Sequence, residues 1–459
     1  VGVSLQQEEG SFARALARRS RFGIKPGLER TRRVLAELGD PQVGLDFVHV
    51  AGTNGKGSVC AMIAQVLQES GARVGLYTSP HLAHWRERIQ IDGVPIAANA
   101  VEELGGAVLR AAEVADASGD PVTEFELGTA LACLYFARGQ VDIVVWETGL
   151  GGTYDATNVV DPLLSVITNV DLDHTQILGS TVEQIARDKA GIVKPGRPVV
   201  TGCSAAAWRI VAERAMACGS SLVTLGRDCR VVREPGTRLD DRVHYFGIRR
   251  DWHGLRCGLR GPYQAQNAGV ALAALEVIAD ARPEWRMEQA AVRRGLTRVR
   301  WPGRCEWINP QVAAEQAGVA PVILDGAHNP AGAAALVRAL REAGAERAIV
   351  VFGAMADKDI GGMLRAFRPV CAEMIAVAAD TPRAAAAAAV IGEWQRWAPQ
   401  TPGHVASTVA AGVARALELQ RGSGMPICIA GSLSVVAEAR QALGQDDGIG
   451  LGESGECRK

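Results

Sequence analysis

A chain of 459 residues with 49 lysines and arginines against 50 aspartates and glutamates carries a formal net charge of -1. That balance excludes the basic footprint of a nucleic-acid or membrane-surface binder. Its 48% hydrophobic and 22% charged residues exclude wholesale disorder, and the length suits two or three domains.

In chain order, residues 1–20 hold Glu8, Glu9 and several arginines and lack the apolar run of a secretory signal. No uninterrupted apolar stretch approaches the ~20 residues that span a bilayer. The ten cysteines are scattered, with no Cys-x-x-Cys pair, so neither a disulfide framework nor a zinc site is expected. These features set the expectation of a soluble, cytoplasmic protein with free thiols.

Residues 46–50 read as a buried strand and 57–70 as the helix after it. Strands follow at 73–77, 141–147 and 164–168, then a helix at 181–192 and a strand at 198–201 that closes the series. Such alternation predicts a mainly parallel sheet with helices on both faces and ligands at the carboxyl ends of the strands. Residues 222–259 have short alternating runs and predict an antiparallel excursion within the first domain. Residues 267–281 carry Ala and Leu at helical spacing. The Arg-Val-Arg-Trp-Pro-Gly stretch within 297–303 breaks that pattern and marks a boundary. Beyond it, runs at 321–325, 348–352, 374–377 and 426–430 read as strands of a smaller Rossmann-like domain of roughly 140 residues, with the alanine run 384–389 as helix. The expected organisation is an α/β protein: an N-terminal P-loop parallel-sheet ATPase domain over 1–298, a C-terminal Rossmann-like domain over 299–445, and a disordered tail over 446–459.

The stretch after the first strand contains Gly52, Thr53, Asn54, Gly55, Lys56, Gly57 and Ser58. Glycines between a strand and a helix let backbone N–H groups converge on an anion at the helix N-terminus. Lys56 can reach the β and γ phosphates, and the Ser58 hydroxyl can ligate Mg²⁺. The spacing departs from GxxxxGK[ST]: two residues separate Gly52 from Gly55, and Gly57 stands between the lysine and Ser58. Glu147 ends an apolar strand before a glycine-rich loop, a good position for a Mg²⁺ ligand. Asp171, Asp173 and His174 follow another strand; histidine is a less usual Mg²⁺ partner, and His174 is otherwise a structural hydrogen-bonding group. Lys189 reads either as an exposed helix lysine or as a site residue.

Taken together, these motifs resemble those of folylpolyglutamate synthase and dihydrofolate synthase, members of the Mur ligase superfamily. The resemblance rests on residues 49–58, 78–82, 123–126, 147–158, 173–179, 189–192, 266–267, 301–304, 325–330, 357–359 and 431–433, which occur in family order from about residue 20 to about 440. It implies a Mur ligase fold and a reaction in which ATP phosphorylates a substrate carboxylate and the amine of L-glutamate attacks the acyl phosphate. The implied substrates are dihydropteroate, reduced folates and L-glutamate, and a monomer is expected. By resemblance, Ser79 and Glu147 hold one Mg²⁺ near Ser58, and His174 helps hold a second. Lys189 matches a carbamylated lysine, whose carboxylate would support a cation that an ammonium would repel. Asn267, Arg304 and Asp325 match ATP contacts. Thr123, Glu124, Phe125, Glu126, Tyr154, Asp155 and Ala156 match pteroate-contacting segments, and His328 and Ser432 match positions tied to glutamate binding or catalysis. Three departures stand out: Thr148 and Thr153 replace a frequent valine and arginine, and Tyr263 replaces a frequent histidine.

Other roles are open to several of these residues. His328 could cap a helix beginning at Pro330, Arg304 could be a solvated linker residue, Asp155 could make an Asx turn, and Trp301 reads as hinge packing. The competing functions are a monofunctional folylpolyglutamate synthase, a P-loop phosphotransferase or nucleotide switch, and a nucleotide-binding module without catalysis.

Overall fold

The computed structural model describes residues 10–117, 119–236, 241–308 and 320–445; the expected tail at 446–459 lies outside them. The first sheet is built from β1 (Phe47–Ala51), β2 (Val74–Tyr77), β3 (Ile89–Ile91), β4 (Val94–Pro95), β5 (Ile143–Glu147), β6 (Leu164–Ile167), β7 (Val199–Thr201) and β8 (Leu222–Thr224). Its order is β4-β3-β2-β5-β1-β6-β7-β8. β1 lies between β5 and β6, parallel to both, and every residue of β1 and β5 is buried. Strands covered on both faces need continuous apolar runs rather than alternation, which is why these were readable. Only the β2–β3 and β3–β4 pairs are antiparallel. The series does not close at β7: β8 adds a further parallel strand, too short and too half-buried to stand out by pattern.

A three-stranded antiparallel sheet of β9 (Arg230–Glu234), β10 (Arg242–Phe246) and β11 (Asp251–Arg256) fills the expected excursion. Val243, Tyr245, Trp252 and Leu255 turn into the core beside the helix Tyr263–Ala281. The buried Glu276 of that helix accepts from Tyr245 Oη at 2.7 Å and from the backbone N–H groups of Ile248 (3.1 Å), Arg249 and Arg250 (3.0 Å). A buried carboxylate needs such donors. The helix starts four residues before the expected position 267, because Pro262 occupies its N-cap with a helical backbone.

The second body is a six-stranded sheet of β12 (Glu306–Ile308), β13 (Val322–Asp325), β14 (Ala348–Phe352), β15 (Cys371–Ala376), β16 (Gly403–Val405) and β17 (Ile427–Ala430). The order is β12-β13-β17-β14-β15-β16, antiparallel only at the β12–β13 edge. The short edge strands β12 and β16 carry no continuous apolar run and are absent from the sequence reading. The alanine run is not all helix: Ala384 bridges to Met355, and the helix begins at Ala387. Separate apolar cores cover the two faces of this sheet. The nine cysteines among the described residues are all free. Among the described residues, no helix is long and apolar enough to cross a membrane.

Candidate functional site

The site starts where β1 runs into the helix Lys56–Glu69. Gly52 has φ 156° and Gly55 has φ 82°; a Cβ on Gly52 would stand 1.9 Å from Thr168 Oγ1, and one on Gly55 2.4 Å from Asn267 Oδ1. Both positions exclude a side chain by backbone angle and by space. The loop is braced by the segment after β6. Thr53 N donates to Asn169 O (3.0 Å), Asn54 N to Asn169 Oδ1 (3.0 Å), and Thr168 Oγ1 to Asn54 O (2.7 Å). Thr168 and Asn169 were not singled out by sequence, since nothing local marks a strand end as the brace of a distant loop. Ser58 Oγ accepts from Gln264 Nε2 at 3.3 Å, and Gln264 Oε1 accepts from Asn267 Nδ2 at 2.9 Å. Asn267 is thereby held beside the loop, and Gln264 joins the site as a residue the sequence reading did not assign.

Lys56 Nζ turns back to donate to Gly52 O at 3.1 Å. Lys189, last residue of the helix Val182–Lys189, donates to the same carbonyl at 2.9 Å and is only 4% exposed. The exposed-lysine reading is therefore corrected: tertiary packing buries the side chain, which no local pattern reveals. Burial, reinforced by Lys56, lowers its pKa to about 7.

Glu147 is 3% exposed at the end of β5 and accepts from Ser79 N at 3.1 Å. Burial raises its pKa to about 7 against the pull of Lys56. Ser79 and Glu147 line one cleft with Gly57, Trp301, Arg304 and Leu433. The Trp301 indole lies close to Gly57, as hinge packing requires. A buried carboxylate with Ser79 in the same cleft offers oxygen donors that suit a hard divalent cation arriving with a nucleotide. Among the described residues no three His, Cys, Asp or Glu side chains gather as a ready-made metal cage, so such an ion would draw on phosphate oxygens and water as well. His174 is separate from Glu147 in its contacts. Its Nε2 stands 3.4 Å from Lys358 Nζ and 3.9 Å from Asp173 Oδ1, and burial first of all lowers its pKa to about 4.

Several expected substrate contacts are committed within the protein. Thr123 and Glu126 form a capping box on the helix Glu124–Arg138, with Thr123 N donating to Glu126 Oε2 at 2.7 Å and Glu126 N to Thr123 Oγ1 at 3.3 Å. Arg30 Nε donates to Glu126 at 2.8 Å, and Glu124 Oε1 accepts from Trp85 Nε1 (3.1 Å) and Arg88 Nη1 (2.9 Å). These bonds give Thr123, Glu124 and Glu126 a structural use within the protein. Phe125 sits against the Gly149 loop, Ala156 is buried, and Tyr154 is 60% exposed. Asp155 is the N-cap of the short turn Ala156–Val159, taking Thr157 N at 3.0 Å and Leu150 N at 2.7 Å, so the Asx role holds. Thr153 donates through Oγ1 to Asp188 O at 2.8 Å, tying the glycine-rich loop to the helix that carries Lys189.

On the other side of the cleft, Asp325 ends β13. It accepts from Tyr263 Oη, Cys305 N and Ala327 N, each at 2.8 Å. That carboxylate orders the turn bearing Arg304 and binds the helix Tyr263–Ala281 across the domain boundary, so Tyr263 has a structural use of its own. Three donors leave one of the roughly four acceptor sites of a carboxylate free. His328 Nδ1 donates to Gly326 O at 2.9 Å; the cap of the helix Pro330–Glu342 is Asn329, whose Oδ1 accepts from Gly332 N at 2.8 Å. Ser432 likewise caps the helix Leu433–Ala442 by accepting from Val435 N at 3.1 Å. Asn329 Nδ2 donates at 3.1 Å both to Asn54 Oδ1 and to Asp173 Oδ2, and Lys358 Nζ donates to Asp173 Oδ1 at 2.5 Å. Asn329, Lys358 and Asp173 were not assigned a role from sequence. Asn329 follows directly on the noted His328, but its reach to the loop of the other domain is visible only in three dimensions.

Comparison with known proteins agrees with this layout. The family described as "Mur ligase middle domain" matches residues 50–275, and "Mur ligase, glutamate ligase domain" matches residues 303–433. A probable bifunctional folylpolyglutamate synthase/dihydropteroate synthase of Haloferax volcanii is 39% identical over 92% of the chain, which spans 49% of that longer protein. The dihydrofolate synthase/folylpolyglutamate synthase of Bacillus subtilis is 35% identical over 93% of this chain and 96% of its own. The Mycobacterium tuberculosis folylpolyglutamate synthase, solved in complex with ADP and AMPPCP, superposes with a TM-score of 0.87 at 29% identity, covering 95% of this chain and 100% of that one. With its loop, its two facing sheets and these likenesses along nearly its full length, the chain belongs to the Mur ligase family of ATP-dependent ligases, in the group of the dihydrofolate synthases/folylpolyglutamate synthases.

Proposed function

We propose that the chain is a bifunctional ligase that uses Mg-ATP to add L-glutamate to dihydropteroate, forming dihydrofolate, and to tetrahydrofolate, forming folylpolyglutamate. The observation that carries this is the cleft itself: the phosphate loop with Lys56 on one side, and the His328, Asn329 and Lys358 turns of the glutamate-ligase domain bonded directly against it. A phosphotransferase has no need of that second domain.

The carboxylate oxygen of the acceptor attacks the γ-phosphorus and ADP leaves. The glutamate nitrogen then attacks the acyl carbon, phosphate leaves, and one proton is lost. Lys56 and the loop N–H groups orient the phosphates, and the closed cleft keeps water from the acyl phosphate. Ser58, Ser79 and Glu147 would hold Mg²⁺, which neutralises charge on the transferring phosphoryl group; His174 and a carbamylated Lys189 would support a second ion. Arg304 and Asn267 flank the nucleotide, with Asp325 supporting Arg304. His328 and Ser432 serve the glutamate side, and segments 123–126 and 154–156 border the pteroate. Small molecules are its partners, and it works as a cytoplasmic monomer. The working division is 1–298 and 299–445, supported by the two family matches on either side of it. Paired assays with ATP and glutamate test the reading: turnover of both dihydropteroate and tetrahydrofolate is expected. Turnover of tetrahydrofolate alone would reduce it to a monofunctional synthase, and stable phosphate transfer to a hydroxyl acceptor would refute it.

A further inference from the structure

One carboxylate on the phosphate-loop side of the cleft gathers three groups from the opposite domain. Asp173 Oδ1 accepts from Lys358 Nζ at 2.5 Å, Oδ2 accepts from Asn329 Nδ2 at 3.1 Å, and His328 Nε2 stands 3.4 Å from Oδ2. The Asp173 side chain is 9% exposed and that of Lys358 10%, so this is no solvated surface pair. Its own backbone adds a further donor, His174 N, at 2.8 Å.

A buried ion pair could serve as plain glue between domains. Two features go beyond that. The groups held come from two different strand ends, the turn after β13 and the turn after β14. Asn329 is also used at both ends of its amide: its oxygen caps the helix Pro330–Glu342, and its nitrogen reaches Asn54 of the phosphate loop as well as Asp173. Lys358 in turn lies 3.4 Å from His174. The Lys358 ammonium of one domain is therefore fixed in place beside the loop of the other.

We propose that Asp173 is a positioning residue for the ligation step: it holds Lys358 and the His328–Asn329 turn over the phosphate loop, so that the C-terminal domain presents the Lys358 ammonium to the phosphoryl group as it passes to the acceptor carboxylate. Phosphoryl transfer depends on placed positive charge more than on covalent chemistry, and charge fixed before the reaction needs no reorganisation during it. The inference rests on the ligase reading above.

The test is a double-mutant cycle of Asp173→Asn and Lys358→Gln, with Asp173→Glu as the conservative variant. Asp173→Asn is expected to lower kcat about tenfold or more, with KM for ATP changed by less than about threefold, since kcat without KM marks the loss of an interaction specific to the transition state. The double variant should be no slower than the slower single one, and Asp173→Glu should regain part of the rate. A kcat for Asp173→Asn within about twofold of the parent, or losses that multiply in the double variant, overturn the proposal. Should Asp173→Asn fail to fold, Lys358→Arg carries the same test, because it keeps the charge pair but moves the cation: a lower kcat supports the proposal and an unchanged one overturns it. If the unaltered chain makes no amide with the full substrate set, the ligase reading fails by itself. The positioning role is then read from ADP release from Mg-ATP: a slower release in Asp173→Asn at unchanged nucleotide affinity supports it, and an equal rate overturns it.

Discussion

Lys56 and Lys189 direct two amines at one carbonyl oxygen, that of Gly52. Burial settles the conflict by making the neutral form of Lys189 accessible near pH 7. A neutral amine is the form that adds carbon dioxide, which links the position to the carbamate suggested by family resemblance. With ¹³C-labelled bicarbonate, the unaltered chain should give a carbamate carbon signal that Lys189→Met lacks, and that variant should lose activity on the order of 10–100-fold, as for other groups that support a metal. A spectrum without the signal would remove carbamylation from the account. Gly52 makes a sharper steric case. Gly52→Ala places a methyl where Thr168 Oγ1 already stands, so nucleotide binding, read by titration with a fluorescent ATP analogue, should fall by at least about tenfold; unchanged affinity would mean that the loop can shift to make room. The loop residues were legible in sequence because the phosphate chemistry dictates their order along the chain. The burial of Lys189, the bracing by Thr168 and Asn169 and the carboxylate of Asp173 were not, because each depends on a partner more than a hundred positions away.

Among the elements, the strands that position the site were those the sequence announced most clearly. β1, β5, β13 and β14 are buried throughout, and burial on both faces leaves a continuous apolar run as its trace. The edge strands β8, β12 and β16 leave none. Segment 123–126 has a structural use besides the contact that the resemblance implies: its Thr123 and Glu126 side chains build a helix start. Helix packing behind the site offers a pH test. Glu69 ends the helix Lys56–Glu69, a position where a carboxylate opposes the helix dipole. It is held by Arg294 Nε at 2.8 Å and Arg298 Nη1 at 2.6 Å on the helix Gln289–Arg298. Those arginines, Arg294 first, lower its pKa in the folded state. Its contribution to stability is therefore present above the usual carboxylate range and is lost as the pH falls through the lowered value. In urea titrations Glu69→Gln should cost about 1 kcal/mol or less at pH 7, since the arginines are half exposed. The difference from the parent should shrink as the pH falls below the ordinary glutamate value of about 4.3 and vanish below the lowered one, and a difference independent of pH would assign it to packing instead.

For the whole molecule, two sheets turn the carboxyl ends of their strands toward each other. Glu147 at the end of β5, Asn54 after β1 and Asp173 after β6 face His328 after β13, Lys358 after β14 and Leu433 after β17. Open α/β sheets bind ligands at that edge, and here two such edges share one cleft. The alternation of strands and helices made the two-sheet architecture legible in the sequence; how the sheets meet was not, since Asn329–Asn54 and Tyr263–Asp325 leave no mark on local pattern. The proposed ligation couples one nucleotide to one acceptor and one amine, so ADP should form only when all three are bound. The direct measurement is the rate of ADP release from Mg-ATP with dihydropteroate and L-glutamate together and with each omitted in turn. The account predicts release with the full set and amide product in equal amount, with little release when either cosubstrate is missing; ADP formed equally fast without them would contradict it.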